Sequence, residues 1–143
     1  MPKINHISPE ELSNIMKPGA AGVLTMTTSG EFLLTKRTSR AHYLGGHWSV
    51  PSGEVDVNNL ESMEDCARRE FFEETTHGIQ FDTKLTCIDR YFADDRMYFL
   101  FLYRVKKRFF VKIDWEHEDF NWFSKDTLPH PISSQIYDAI QRI

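Results

Sequence analysis

The stretch from Glu61 to Thr76, Glu-Ser-Met-Glu-Asp-Cys-Ala-Arg-Arg-Glu-Phe-Phe-Glu-Glu-Thr-Thr, constrains this chain more than any other. It reads as one helix. Ser62 is the expected N-cap, Glu64 and Asp65 in the first turn favour the helix dipole, and Gly78 is the expected stop. Glu70, Glu73 and Glu74 fall at i, i+3 and i+4 and share a face. At about 100° per residue they span an arc of roughly 100°. Met63 and Ala67 fall inside or beside that arc, and Phe71 lies next to it. A solvated helix puts its charges opposite its apolar stripe. Here the two overlap, so the carboxylates are expected at the edge of a core or in a cleft. Three carboxylates so close repel one another unless a cation joins them. With oxygen ligands only, the fitting ion is hard and divalent, Mg²⁺ or Mn²⁺.

The rest of the chain supplies a scaffold for that helix. Ser8-Pro9-Glu10-Glu11 is a capping box with proline at the first helical position, predicting a short helix to about Met16. Gly22 to Thr27 and Phe32 to Lys36 read as strands joined by Thr28-Ser29-Gly30. Residues 37 to 53 form a long connection of the length usually reserved for function. Phe81 to Phe92, Met97 to Val105, Phe109 to Ile113 and Phe120 to Phe123 read as further strands. Ser124 to Leu128 reads as one helical turn. Ser133 or Ser134 is expected to cap a last helix with Ile136, Tyr137, Ile140 and Ile143 on one side. Strands with helices between and after them predict a mixed β-sheet between helices, an α/β/α sandwich, in a single domain over residues 1–143.

Aromatic residues are 13% of the chain and hydrophobic residues 41%, enough for a packed core. The formal net charge of −4 argues against a nucleic-acid coat or an anionic-membrane binder, but permits a nucleotide whose charge is met by metal. Cys66 and Cys87 both read as small buried apolar residues rather than a disulfide framework. No apolar run has signal-peptide or membrane-spanning length, so the expected location is cytoplasmic.

Gly53, then Glu61, then Arg69-Glu70-Phe71-Phe72-Glu73-Glu74 resembles the Nudix hydrolase signature. From Glu61 to Glu74 the resemblance is residue for residue. Gly46-His47-Trp48-Ser49-Val50-Pro51-Ser52-Gly53 looks like the family's Gly-x-Trp-x-x-Pro-Gly-Gly entrance to the motif. Trp122-Phe123 with Asp126, Leu128 and Pro129 is similar to its later Trp-apolar…Asp-Glu-Leu-Pro stretch. Seven residues separate Gly53 from Glu61 where the family has five, Ser52 replaces a glycine, and Thr76 stands in the usual glycine position.

The resemblance implies a Nudix-type α/β/α sandwich. It also implies a Mg²⁺-dependent (or Mn²⁺-dependent) pyrophosphohydrolase acting on a nucleoside diphosphate derivative. By the same resemblance Glu70, Glu73 and Glu74 are metal ligands, joined by the Ser52 carbonyl and by Glu116, with Glu118 as its rival. Arg69 orients Glu73, Glu61 supports the motif, and Glu116 or a helix glutamate takes the water's proton. Gly53 belongs to the substrate loop. Lys36, Arg37 and Arg40 are candidates for phosphate. Trp48, Tyr43 and Phe92 are candidates for stacking a base. Tyr91 lies near the position of the tyrosine that marks dinucleoside polyphosphate enzymes. His42, His47, His77 and His117 read as loop residues without ligand spacing. The substrates left open are a dinucleoside polyphosphate, ADP-ribose, NAD(H) or FAD, and a modified nucleoside triphosphate. A capped RNA 5′ end ranks lower for want of a basic tract. An isoprenoid diphosphate isomerase would need a cysteine at Ser52. A homodimer is in keeping with the family. The competing readings are a nucleotide-binding or sensor module that has lost catalysis and a purely structural domain; the intact Glu70, Glu73 and Glu74 speak against both.

Overall fold

The computed structural model describes residues 17–143. The expected helix before Met16 lies outside the described residues. The elements are β1 (Ala20–Thr27), β2 (Phe32–Arg37), β3 (Trp48–Ser49), β4 (Ser52–Glu54), α1 (Met63–Thr75), β5 (Thr86–Ala93), β6 (Arg96–Val105), β7 (His117–Phe123) and α2 (Ser134–Gln141). Short 3₁₀ helices cover Val57–Asn59 and Lys125–Thr127. The strands make one seven-stranded sheet in the order β3-β2-β1-β6-β5, with β4 paired to β1 and β7 to β2. β1 and β6 are parallel and the remaining pairs antiparallel, so the sheet is mixed.

Each strand alternates between two layers, as the pleat requires. Ala21, Val23, Leu33, Phe101 and Tyr103 face α1 and pack with its Cys66, Ala67 and Phe71. Leu24, Phe32, Leu34, Leu100 and Leu102 face α2 and pack with Ile136, Ala139 and Ile140. The helices therefore cover opposite faces of the sheet. Within α2 the buried positions are Ile136, Ala139 and Ile140, whereas Tyr137 is exposed, as is Ile143 beyond the helix end, so the expected side of Ile136, Tyr137, Ile140 and Ile143 is only partly the buried one.

β1 divides its pairing. Its first residues, Ala20 to Gly22, pair with β4, while Thr25 and Met26 pair with β2. The sheet splays open between β4 and β2 at that point. Gly22 sits at the opening, and a Cβ there would meet the Ser52 Cβ at 2.8 Å.

Several boundaries differ from the sequence expectation for physical reasons. Residues 81–85 turn instead of pairing, Thr83 N–H bonds to Gln80 C=O, and Phe81 is exposed. Phe109 to Ile113 is extended and alternates into the core, but among the described residues no strand pairs with it. Its Lys112 N–H instead bonds to Thr75 C=O at the end of α1. α1 stops at Thr76, not Gly78: Thr76 takes φ 66° and its N–H caps Phe72 C=O. Cys66 is buried as expected and Cys87 is exposed, not buried. In the β5–β6 turn, Asp94 and Asp95 both take positive φ, the two-residue geometry that suits strand twist. Among the described residues, no helix is long and apolar enough to cross a membrane.

Candidate active site

Ser62 caps α1 by accepting from Asp65 N–H at 3.0 Å, which fixes where the helix begins and hence which way its glutamates point. Glu74 turns inward. It is 1% exposed, the only carboxylate among the buried residues of the helix. One of its oxygens accepts from Ser52 N–H at 3.2 Å, and the other is buried without a partner. Burial first, then hydrogen bonding and charge repulsion from Glu70, hold the Glu74 carboxyl well above the usual carboxylate range. Glu70 lies against β4: a Cβ on Gly53 would overlap its carboxyl group, so glycine is required there by close approach. Glu73 is half exposed.

Arg69 gathers the remaining charges. Its guanidinium bonds Glu61 through two atoms at 2.7 and 2.9 Å, Glu70 at 2.8 Å, Glu73 at 3.2 Å and the Glu54 carbonyl at 3.1 Å. The Arg69 bond holds Glu61 below the usual carboxylate range. Glu61 also accepts from Asp56 N–H at 3.0 Å, which ties the longer entry loop to the helix start. Arg69, expected to orient Glu73, thus contacts three glutamates rather than Glu73 alone.

The donors near this point are carboxylate and carbonyl oxygens, with a buried oxygen on Glu74 left unsatisfied. That set fits a hard divalent cation. Among the described residues, no three acidic or imidazole groups already surround one point; Arg69 draws Glu70 and Glu73 to itself.

The opening between β4 and β2 is a cavity of about 240 Å³. Pockets that take a whole drug-sized ligand run from about 300 to 1,000 Å³, so this one suits one end of a larger molecule. Gly22, Ser52 and Gly53 line it on the β4 side, Ser49 of β3 lies beside β2, and Glu116 enters from the segment before β7. Burial and the neighbouring Asp114 raise the Glu116 carboxyl. Arg37, Asp94 and Arg96 add charge. Tyr91 and Tyr98 stack across β5 and β6 at 5.3 Å, and Tyr43 stacks on Tyr98 at 5.8 Å from the long loop. Burial pushes the Tyr98 hydroxyl up to about 12, so these hydroxyls stay protonated. The loop is held by backbone bonds, from Arg37 N–H to His47 C=O and from Thr38 N–H to Glu116 C=O at 3.1 Å.

The structure therefore brings together Glu70, Glu74, Ser52, Gly53, Glu116, Arg37 and Tyr91 from distant parts of the chain. It does not bring Trp48 or Arg40. Trp48 is 9% exposed, packs edge-on against Phe123 in the α2 layer, and is not available to a base. Arg40 is exposed and outside the cavity lining, as is Phe92. Lys36 pairs with Glu118 at 3.7 Å, and Glu118 is outside the cavity lining that includes Glu116.

His117 is not a loop residue. It lies in β7 with a fully buried ring, Nδ1 2.9 Å from Asp114 and Nε2 3.3 Å from Glu74, the latter without hydrogen-bond geometry. Burial holds its pKa down, so the ring is neutral and these contacts are not ion pairs. Sequence reasoning also missed Asp94, Arg96 and Tyr98. Only the turn signal before Arg96 was there to find them.

The NUDIX domain family model matches residues 16–143. The chain belongs to the Nudix hydrolase family. Among solved structures it resembles a MutT Nudix hydrolase from Burkholderia pseudomallei at 25% identity and a TM-score of 0.69, over 89% of this chain and 98% of that one. It resembles a Caenorhabditis elegans Ap4A hydrolase binary complex at 23% identity and a TM-score of 0.64, over 86% and 93%. A third is the Nudix domain of Shewanella oneidensis NrtR complexed with ADP-ribose, at 16% identity and a TM-score of 0.68, over 97% and 92%. No curated protein matches the sequence significantly. In the Nudix frame, α1 with the loop before it is the motif helix, and the family's glycine position after it is filled here by Thr76 in a left-handed conformation.

Proposed function

We propose that this Nudix hydrolase cleaves the pyrophosphate bond of a nucleoside diphosphate derivative with a divalent metal, Mg²⁺ or Mn²⁺. The observation that carries the reading is Glu74, a fully buried carboxylate with one oxygen lacking any partner. A bound cation would remove that cost for the ionised carboxylate, in place of the proton that burial otherwise favours. Glu70, Glu73 and Glu74, with the Ser52 carbonyl and Glu116, are the oxygens that would hold the ion. When bound, it would neutralise the phosphates and acidify a water.

The chain's own residues do the rest. Arg69 fixes the rotamers of Glu70 and Glu73 and keeps the acidic cluster from splaying. Gly53 lets substrate and Glu70 approach the β4 backbone. Glu116 faces the cavity and takes the proton of the attacking water or completes the oxygen set. Water's oxygen bonds to phosphorus, the bridging P–O bond breaks with its electron pair going to the leaving phosphate oxygen, and the water's two protons pass to the products or to solvent. The tyrosine-lined end is suited to an aromatic base. The small nucleotides in view remain a dinucleoside polyphosphate, ADP-ribose, NAD(H) or FAD, and a modified nucleoside triphosphate.

The test is a panel of these nucleotides with Mg²⁺ and with Mn²⁺, with products identified by mass. Glu73→Gln, which keeps size and removes charge, should lower turnover by orders of magnitude while the circular dichroism spectrum is retained. Unchanged turnover in that variant sinks the assignment.

A further inference from the structure

The cavity contains two guanidinium groups that the metal machinery leaves unused. Arg37 ends β2 and lines the cavity, its Nε–H is buried without an acceptor, and it makes no ion pair among the described residues. Arg96 opens β6 with its side chain 14% exposed. One arm bonds Glu54 at 2.8 Å, but its Nε–H is also buried and unpartnered, and the Asp94 carboxylate at 4.0 Å is too far to accept from it. β1 runs parallel to β6 and antiparallel to β2, so the end of β2 and the start of β6 meet at the same edge of the sheet. That edge is where the sheet splays.

A buried charged donor without an acceptor is unfavourable, and two in one cavity call for an anion entering from outside. The planar fork of arginine fits a phosphate in particular. Of the carboxylates lining the same cavity, Glu54 is already taken by Arg96, Asp94 is engaged by Lys17 at 3.0 Å, and Glu116 belongs to the oxygen cluster. The two phosphates joined by the cleaved bond would have their counter-charge in the cation that the cluster holds. The arginines are additional positive charge, which calls for additional phosphate.

We propose that Arg37 and Arg96 form a subsite for a phosphate beyond the two joined by the cleaved bond. The preferred substrates are then nucleosides carrying three or more phosphates in a row, not diphosphate-linked molecules such as ADP-ribose, NAD(H) or FAD. The inference rests on the hydrolase reading above and adds the substrate class to it.

The experiment compares kcat/KM for diadenosine tetraphosphate and ATP with that for ADP-ribose in the parent, Arg37→Gln and Arg96→Gln, with Mg²⁺ present. Charge-assisted hydrogen bonds of this kind are each worth roughly tenfold or more in binding. The parent should prefer the longer phosphate chains, and each variant should lower that preference ratio by about tenfold or more. A parent that prefers ADP-ribose, or a ratio unmoved in both variants, overturns the subsite. A second measurement uses the parent alone, so that it survives a variant that fails to fold. Inorganic tripolyphosphate should bind at least tenfold more tightly than pyrophosphate by calorimetry, and equal affinities overturn the proposal. If no nucleotide is hydrolysed, the hydrolase reading fails by itself, while the calorimetric comparison still decides on the arginines.

Discussion

Replacing Glu74 by glutamine should have opposite effects on the ion-free protein and on its response to metal. Glu74 is buried, with one oxygen held by Ser52 N–H and the other unpartnered, and its carboxyl is raised well above 4.5 chiefly by burial. A raised pKa means that the folded state binds the proton more tightly than the unfolded chain does. Its stabilising contribution is complete below about pH 4.5 and is lost as pH rises towards the folded-state value. For one group the loss is about 1.4 kcal/mol per pH unit across that window. The Glu74→Gln side chain keeps the shape, keeps an acceptor for Ser52 and cannot ionise, so this part of the slope disappears. In EDTA the variant should match the parent near pH 4.5 and exceed its stability by a margin that widens as pH rises towards the folded-state value. For a chain of this size the margin grows by roughly 3–6 °C in Tm per pH unit. Added Mg²⁺ should raise the parent's Tm more at pH 8 than at pH 5.5, because binding must displace a proton, and should do little for the variant. The assay is thermal unfolding followed by circular dichroism across pH with and without Mg²⁺. Parallel pH profiles for the two proteins in EDTA, or equal stabilisation of both by Mg²⁺, would refute the placement of a costly carboxylate at this point.

Gly53→Ala should lower hydrolysis by tenfold or more and weaken activation by metal, since its Cβ overlaps the Glu70 carboxyl; steady-state rates against Mg²⁺ concentration test this. Leu60 is 92% exposed with φ 54°, so Leu60→Gly relieves left-handed strain without losing packing and should raise stability by about 0.5–1 kcal/mol in urea unfolding, with activity retained.

What could be read from the sequence follows the range of the forces involved. α1 was legible because its cap, its apolar positions and its carboxylates all lie within a few turns of one another. The layering was legible because the order of elements, with helices between and after the strands, is itself local information. Phe109 to Ile113 shows the limit: the segment is extended, but a strand needs a neighbour, and nothing in five residues says whether one is there. Trp48 shows another. An aromatic beside a substrate loop is equally suited to cavity or core, and the pairing of β3 with β2 turned it to the core. His117, Arg96 and Tyr98 acquire their surroundings only when β6 and β7 are laid against β1 and β2, so no local pattern marks them.

The bond from Thr38 N–H to Glu116 C=O joins the start of the long loop to the segment bearing the cavity's acidic side chain. Tyr43, which covers Tyr98, belongs to the same loop. On the function proposed above, grip on the far end of a ligand and aim of the Glu116 carboxylate at the near end would be geared together through this backbone contact. A molecule that fits the aromatic end badly would then meet a misaligned Glu116, and discrimination would be exacted in turnover as well as in affinity.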